Sequence, residues 1–374
     1  MSVVRSPAGH AFGHGGEADH DDVTVAEVEA AIARDLDALR ERWVHLAAAV
    51  VPRAGVLHTD SVLELLEATV ASGGKRFRPR MAHWGWVAGG GHRTGAGRDH
   101  LVTIGTALEL LHVFALIHDD VMDSSPTRRG QPSVHARARA QHEARGGQGD
   151  PQRYGENIAI LAGDLAHTEA DLLVATLPAG LQELWRTLSV ELMVGQGRDL
   201  VGAANGRRDL AHAREVARAK SGAYTVWRPL QLGATAAGSG ARTLSALERY
   251  GVAVGEAFAL RDDILGVVGD TRTTGKPVGE DIVAGKPTVL MALATERFSP
   301  RWRRALERAA RRPSAAIVGA LQEEFVRSGV IADVEAMIAD AVASALAALD
   351  DPAIDPDAAD GLRALARRVA WRDA

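Results

Sequence analysis

With 374 residues, 46% of them hydrophobic and 24% charged, the chain has the composition of a globular protein, which excludes wholesale disorder and fibrous repeats. Lys and Arg number 43 against 48 Asp and Glu, so a net charge of −5 offers no general basic field for a nucleic-acid backbone. The absence of cysteine excludes disulfides, thiolate zinc sites and a cysteine nucleophile.

The first twenty residues, MSVVRSPAGHAFGHGGEADH, contain no apolar run of signal-peptide length. Residues 1–22 therefore read as a flexible tail and the protein as cytoplasmic. From Val23 to Val50 apolar residues recur at three- and four-residue spacing without Gly or Pro, which predicts an amphipathic helix. A second helix fits Ser61 to Val70, with Ser61 and Glu64 at capping-box spacing. It stops at Ser72, Gly73 and Gly74, and the basic run Lys75 to Arg80 opens a third helix. The longest apolar stretch, Leu101 to Ile117, is nearly long enough to cross a bilayer, but it carries Glu109 and His112 and runs into paired aspartates. A buried helix is expected there, and no membrane span. Further helices are predicted at about 100–122, 156–177, 181–200, 212–236, 243–268 and 286–297, and through the C-terminal third. Short Gly, Pro and polar breaks separate them, and strand patterns are almost absent. The fold class is all-α: residues 23–374 read as a single large helical bundle without solenoid repeats.

The strongest chemical signal is LIHDDVMDSSPTRRG, which sets Asp119, Asp120 and Asp123 at the end of an apolar helix. At about 100° per residue, Asp119 and Asp123 lie roughly 40° apart on one face and one turn apart. Two carboxylates placed that way repel unless cations neutralise them. They suit Mg²⁺, which takes one or two carboxylates together with water and substrate phosphates. A second acidic pair, Asp262 and Asp263, follows another apolar run in FALRDDILGVVGD. Facing helices bearing these acids could hold several Mg²⁺ ions around one diphosphate and make it a better leaving group. Cations concentrate nearby: Lys75, Arg76, Arg78 and Arg80 in GGKRFRPR, and Arg128 and Arg129 after the first acids. Arg forks match phosphate oxygens, so two anionic groups can be bound, one through metal and one directly. For Arg76 and Arg80 a solvated basic face is an equally good reading. GDTRTTGKP superficially resembles a phosphate loop, but its glycines are one residue too far apart and Pro277 stands where Ser or Thr is needed, which excludes an ATPase.

Taken in order, GGKRFRP, ELLHVFALIHDDVMD, RRG, GQGRDL, KSG and FALRDDILGVVGD make the chain resemble the trans isoprenyl diphosphate synthases, most closely bacterial geranylgeranyl and farnesyl diphosphate synthases. The resemblance implies an isoprenoid-synthase helical bundle around a central active-site cavity, working as a homodimer. It implies Mg²⁺, three ions per active site, on Asp119, Asp123 and Asp262, with Asp120 in support. Arg128 would hold the allylic diphosphate, with Lys220, Lys276 and Lys286 as clamps. Lys75, Arg78, His112 and Arg129 would bind isopentenyl diphosphate, and Ser221 would offer its hydroxyl near the carbocation. On periodicity alone, His112 reads as a core histidine. Gln196 and Asp199 read as structural or supporting groups. The implied reaction ionises an allylic diphosphate, joins the cation to the isopentenyl double bond and expels a proton, adding five carbons.

Three positions depart from the pattern: Ala259 replaces a common glutamine, Ser221 a threonine, and Gly266 the third acid of the second motif, for which Asp270 is a possible substitute. Phe114 lies five residues before Asp119, about 7.5 Å down the helix at ~1.5 Å per residue, where its ring could help floor a pocket. Such an aromatic beside a small Ala115, with no insertion between Asp120 and Asp123, resembles synthases of the twenty-carbon product. Farnesyl or longer products, a diverged terpene cyclase and a non-catalytic partner subunit are the alternatives.

Overall fold

A computed structural model describes residues 21–50, 60–92, 97–269 and 279–372, with the side chains of residues 47–50 and 60–61 also outside the description. Most of the tail read over residues 1–22 thus lies outside the described residues. The first helix, α1 (Asp22–Val50), is followed by α2 (Asp60–Ala71), α3 (Phe77–Ala88) and the long α4 (Arg98–Met122). A two-residue hairpin then pairs β1 (Thr127–Arg128) with β2 (Gln131–Pro132) in antiparallel register. Next come α5 (Val134–Ala144), α6 (Pro151–Val174), α7 (Ala179–Ala204), α8 (Leu210–Val216), a π-helical segment (Ala217–Trp227), α9 (Arg228–Ala236) and α10 (Ala241–Val268). The C-terminal part contributes α11 (Glu280–Ala284), α12 (Val289–Arg297), α13 (Pro300–Arg311), α14 (Ala315–Arg327), α15 (Val330–Ala348) and α16 (Pro356–Ala370). The fold is all-α, as the helical periodicity predicts.

The apolar stretch 101–117 lies inside α4, whose Leu101, Ile104, Leu108, Leu111 and Ile117 are buried, and α4 packs against α1–α3, α5, α6 and α9. This helix is long and apolar enough by composition to cross a membrane, yet 67% of its most apolar window is packed inside the protein. Glu109, the charge in its middle, is buried and paired at 2.6 Å with Arg76, which also reaches Glu29 on α1 at 3.3 Å. Arg80 likewise pairs at 2.6 Å with both Asp21 and Asp22 at the start of α1. Of the basic run, then, Arg76 and Arg80 tie α1, α3 and α4 together, which favours a structural use of these two over phosphate binding.

The predicted helix 212–236 is divided in three, because Pro229 has no amide to donate to the Thr225 carbonyl and its ring crowds that oxygen. The turns before it widen to the π form, which brings in an extra residue per turn. The predicted helix 286–297 starts later, at Val289, because Thr288 caps it by accepting from the Met291 amide at 3.2 Å. Lys286 and Pro287 therefore lie in the connection between α11 and α12. At the hairpin, Arg129 and Gly130 have φ of 53° and 72°, the positive values a two-residue hairpin turn requires. The two consecutive arginines consequently serve different neighbours.

Candidate active site

The ends of α4 and α10, the π-helical segment, α7 and the α11–α12 connection surround a cavity of about 410 Å³. Asp119 and Asp262 line it together with Arg78, His112, Arg128, Lys220, Ser221 and Lys286. The two acidic motifs, 143 residues apart in sequence, thus meet at one site. A close approach makes this possible: a Cβ on Gly255 of α10 would lie 2.8 Å from the Gly222 Cα in the π-helical segment. Only paired glycines let α10 close on the segment that carries Lys220 and Ser221.

In this structure every predicted metal carboxylate is held by a cation of the chain itself. Lys220 Nζ lies 3.0 Å from Asp119 and 2.6 Å from Asp199, and Lys286 Nζ lies 2.6 Å from Asp123 and 3.7 Å from Asp281. Asp262 is paired with Arg372. Asp120 is buried and accepts from Arg128 Nε at 2.9 Å, so it aims that guanidinium; a second Arg128 nitrogen stands 3.6 Å from Asp119. Burial pushes the Asp119 carboxyl up, but the charges of Lys220, Lys286 and Arg128 prevail and hold it far below the ordinary carboxylate range. Burial pulls Lys220 and Lys286 down, and the surrounding aspartates more than reverse this. Asp119, Lys220 and Lys286 are therefore charged at neutral pH, and they pair as opposite charges across the site.

The members of the second acidic pair have different roles. The Asp262 side chain is 49% exposed, whereas Asp263 accepts from the Val289 and Leu290 amides at 2.9 and 3.5 Å and fastens the start of α12 to α10. Burial, reinforced by Asp281, raises the Asp263 carboxyl well above the usual range. At Gly266, where the pattern has a third acid, the Asp281 carboxylate occupies the position a Cβ would take. The cavity therefore has an acid beside that turn, supplied by α11. Asp270 and Lys276 lie outside the described residues.

At the other end of the cavity, Arg78 donates to Thr225 Oγ1 at 2.9 Å with its guanidinium 4.1 Å from the Tyr224 ring centre. His112 Nδ1 and the Tyr224 hydroxyl are 3.2 Å apart. Arg129 donates to the Gly73 carbonyl and, at 3.3 Å, to Ser72; neither Arg129 nor the exposed Lys75 is among the residues that line the cavity. Burial lowers the His112 imidazole well below its ordinary value, and Arg78, Arg129, Arg128 and Arg76 lower it further. That shift registers an electropositive pocket able to accept an anion. It also has a consequence for stability. The unfolded chain takes up the proton near pH 6.5 while the folded chain refuses it, so His112's contribution is complete above that pH and is lost as pH falls. We expect stability to decline below pH 6.5 by up to about 1.4 kcal/mol per unit. The decline should be shallower in His112→Asn; equal slopes in denaturation curves would contradict this origin.

Phe114 does not line the cavity, whereas Ala115 and Leu116 do. The Phe114 ring stacks on His167 of α6 at 4.6 Å and touches His118 at the same centroid distance. Sequence reasoning missed Tyr224, Asp281 and Arg372. Tyr224 lies four residues after Lys220 and was findable by spacing, but the other two are recognisable only by what folds against them. Asp199, read as a supporting group, is in contact with Lys220, and Gln196 donates to the Met122 sulfur at 3.2 Å.

A family model described as polyprenyl synthetase matches residues 59–323. Among solved structures, the chain is similar to the geranylgeranyl pyrophosphate synthase of Corynebacterium glutamicum, complexed with isoprenyl diphosphate and magnesium. The two are 36% identical with a TM-score of 0.86, over 95% of this chain and 100% of that one. It is also 32% identical over 255 residues to the short chain isoprenyl diphosphate synthase of Methanothermobacter thermautotrophicus, 66% of this chain and 71% of that one. To the farnesyl diphosphate synthase of Escherichia coli it is 34% identical over 249 residues, 63% of this chain and 76% of that one.

Proposed function

The chain belongs to the polyprenyl synthetase family and is a trans-prenyltransferase, and on that premise we propose that it condenses isopentenyl diphosphate with an allylic diphosphate, in dependence on Mg²⁺, to give geranylgeranyl diphosphate. The observation that carries this reading is the single cavity lined at one end by Asp119 and Asp262 with Lys220 and Lys286, and at the other by Arg78 and His112.

The donor set fits magnesium, being made of hard carboxylate oxygens from two helices. Among the described residues, no three acidic or histidine side chains stand close enough together to hold an ion by themselves, so phosphate oxygens of the substrate would have to complete its shell. Bound by Asp119, Asp123 and Asp262, Mg²⁺ would supply charge screening that turns the diphosphate into a good leaving group. Lys220, Lys286 and Arg128 then hold the departing diphosphate as negative charge gathers on it. Arg78, His112, Arg129 and Lys75 hold the isopentenyl diphosphate so that its double bond faces the cationic carbon. The apolar lining, with Ala115, Leu116, Leu192 and Ala259, keeps water from quenching the cation, and Ser221 presents a hydroxyl beside it. The leaving diphosphate accepts the final proton. Chelation is expected to abolish consumption of labelled isopentenyl diphosphate and added Mg²⁺ to restore it; turnover that survives chelation would overturn the metal's role.

The twenty-carbon assignment draws on the sequence pattern: Phe114, about a turn and a half below Asp119 and held by His118 and His167, lies outside the cavity lining, and its small neighbour Ala115 is the one that faces the cavity. Phe114→Ala is expected to shift products to longer chains in mass spectra. An unchanged distribution would remove Phe114 from length control. A homodimer is also proposed. Ile160, Leu161, Leu172, Val190, Met193, Val194 and Val201 leave an exposed apolar face on α6 and α7, and a second copy would cover it. Sedimentation as a dimer is the expected result, and a monomer would contradict it.

A further inference from the structure

The three predicted metal carboxylates each have a counter-cation: Lys220 on Asp119, Lys286 on Asp123 and Arg372 on Asp262. In the proposed function, two of these cations clamp the allylic diphosphate. The third, Arg372, stands in the same relation to its carboxylate and has no assigned role. It is a built contact, not a surface coincidence. The Arg372 side chain is only 6% exposed. Its guanidinium lies 4.0 Å from the centre of the Phe258 ring and donates to the carbonyls of Val369 at 2.9 Å and Phe258 at 3.4 Å. Phe258 and Asp262 both line the cavity, so the residues that follow α16 bring a cation to its edge. There it meets a carboxylate carried 110 positions earlier.

A guanidinium on Asp262 and a metal ion on Asp262 compete for the same charge. When the metal takes the carboxylate, the arginine needs another anion, and the diphosphate arrives with the metal. Its planar fork suits phosphate oxygens. Resting on the proposed function, we propose that Arg372 is a third diphosphate clamp, which neutralises Asp262 before loading and transfers to the allylic diphosphate as the metal binds.

The two halves of this exchange make opposite predictions for Arg372→Gln, which keeps amide donors for the two carbonyls but has no charge. Without diphosphate, Mn²⁺ followed by electron paramagnetic resonance is expected to bind about threefold or more tightly than to the wild type, because Asp262 is released. With Mg²⁺ present, inorganic pyrophosphate followed by calorimetry is expected to bind about tenfold more weakly. In turnover, the allylic KM should rise while the isopentenyl KM holds, and Arg372→Lys should recover part of the pyrophosphate affinity. A C-terminus that merely props up α10 would weaken both binding steps together; that result, or no change in either, overturns the assignment. Both binding measurements proceed without turnover. A wild-type protein that consumed no isopentenyl diphosphate would therefore defeat the proposed function while these arms still decided the role of Arg372.

Discussion

Asp119→Asn is expected to lower turnover by about a thousandfold or more while leaving the protein folded. Asparagine has the shape of aspartate but neither its charge nor its affinity for a hard cation. The fold has alternative partners ready for what Asp119 leaves behind. Lys220 keeps Asp199 at 2.6 Å, and Arg128 keeps the buried Asp120 at 2.9 Å. Each remaining cation thus stays paired, and the stability cost is on the order of 1 kcal/mol. A loss of activity of this size with a nearly unchanged melting curve marks a group that acts on the reacting diphosphate. Activity within about tenfold of wild type would remove Asp119 from the metal site.

The second large effect involves no polar group. Gly255→Ala would place a methyl 2.8 Å from the Gly222 Cα and 3.1 Å from its carbonyl atoms, all of them backbone that cannot rotate aside. Helix α10 must back away from the π-helical segment, at a cost of about 1–3 kcal/mol. The same movement carries Asp262 away from Lys220 and Ser221. A misplacement of about 1 Å can cost a hundredfold in rate, so kcat is expected to fall by about ten- to a hundredfold. Gly319→Ala in α14, with nothing within 4 Å of the new methyl, is the control and should stabilise slightly. If Gly255→Ala retains both stability and kcat, the close approach is not what assembles the site.

What could be read from the chain follows from how far each interaction reaches along it. The helix that carries Asp119 and runs into Asp123 was legible because its apolar period and terminal acids are local; Asp119 lines the cavity, while Asp123, the cap of α4, stays outside its lining and is paired with Lys286, which does line it. The structural use of Arg76 and Arg80 was not legible: the resemblance already sets Lys75 and Arg78 apart as phosphate binders, but the residues alone leave a solvated face an equally good reading of the other two. All four are cations in one short run, and only the fold sets Glu109, Glu29, Asp21 and Asp22 against two of them. The π-helical segment was hidden for a related reason. Pro229 disturbs the turns before it, but whether the chain breaks, kinks or widens depends on α7 and α10 packing around it. Gly266 reads as a missing acid in sequence, yet the Asp281 carboxylate fills that space from another helix. Arg372 gives no local signal at all, because its meaning comes entirely from Asp262.

The most direct test of the central claim is product analysis of the purified protein with Mg²⁺ and isopentenyl diphosphate, using dimethylallyl, geranyl and farnesyl diphosphates as separate starters. Chromatography and mass spectrometry should show isopentenyl diphosphate consumed and geranylgeranyl diphosphate formed. Farnesyl or longer products would preserve chain elongation and refute the length assignment based on Phe114. No consumption of isopentenyl diphosphate with any starter would contradict the proposal that this cavity joins two diphosphate substrates.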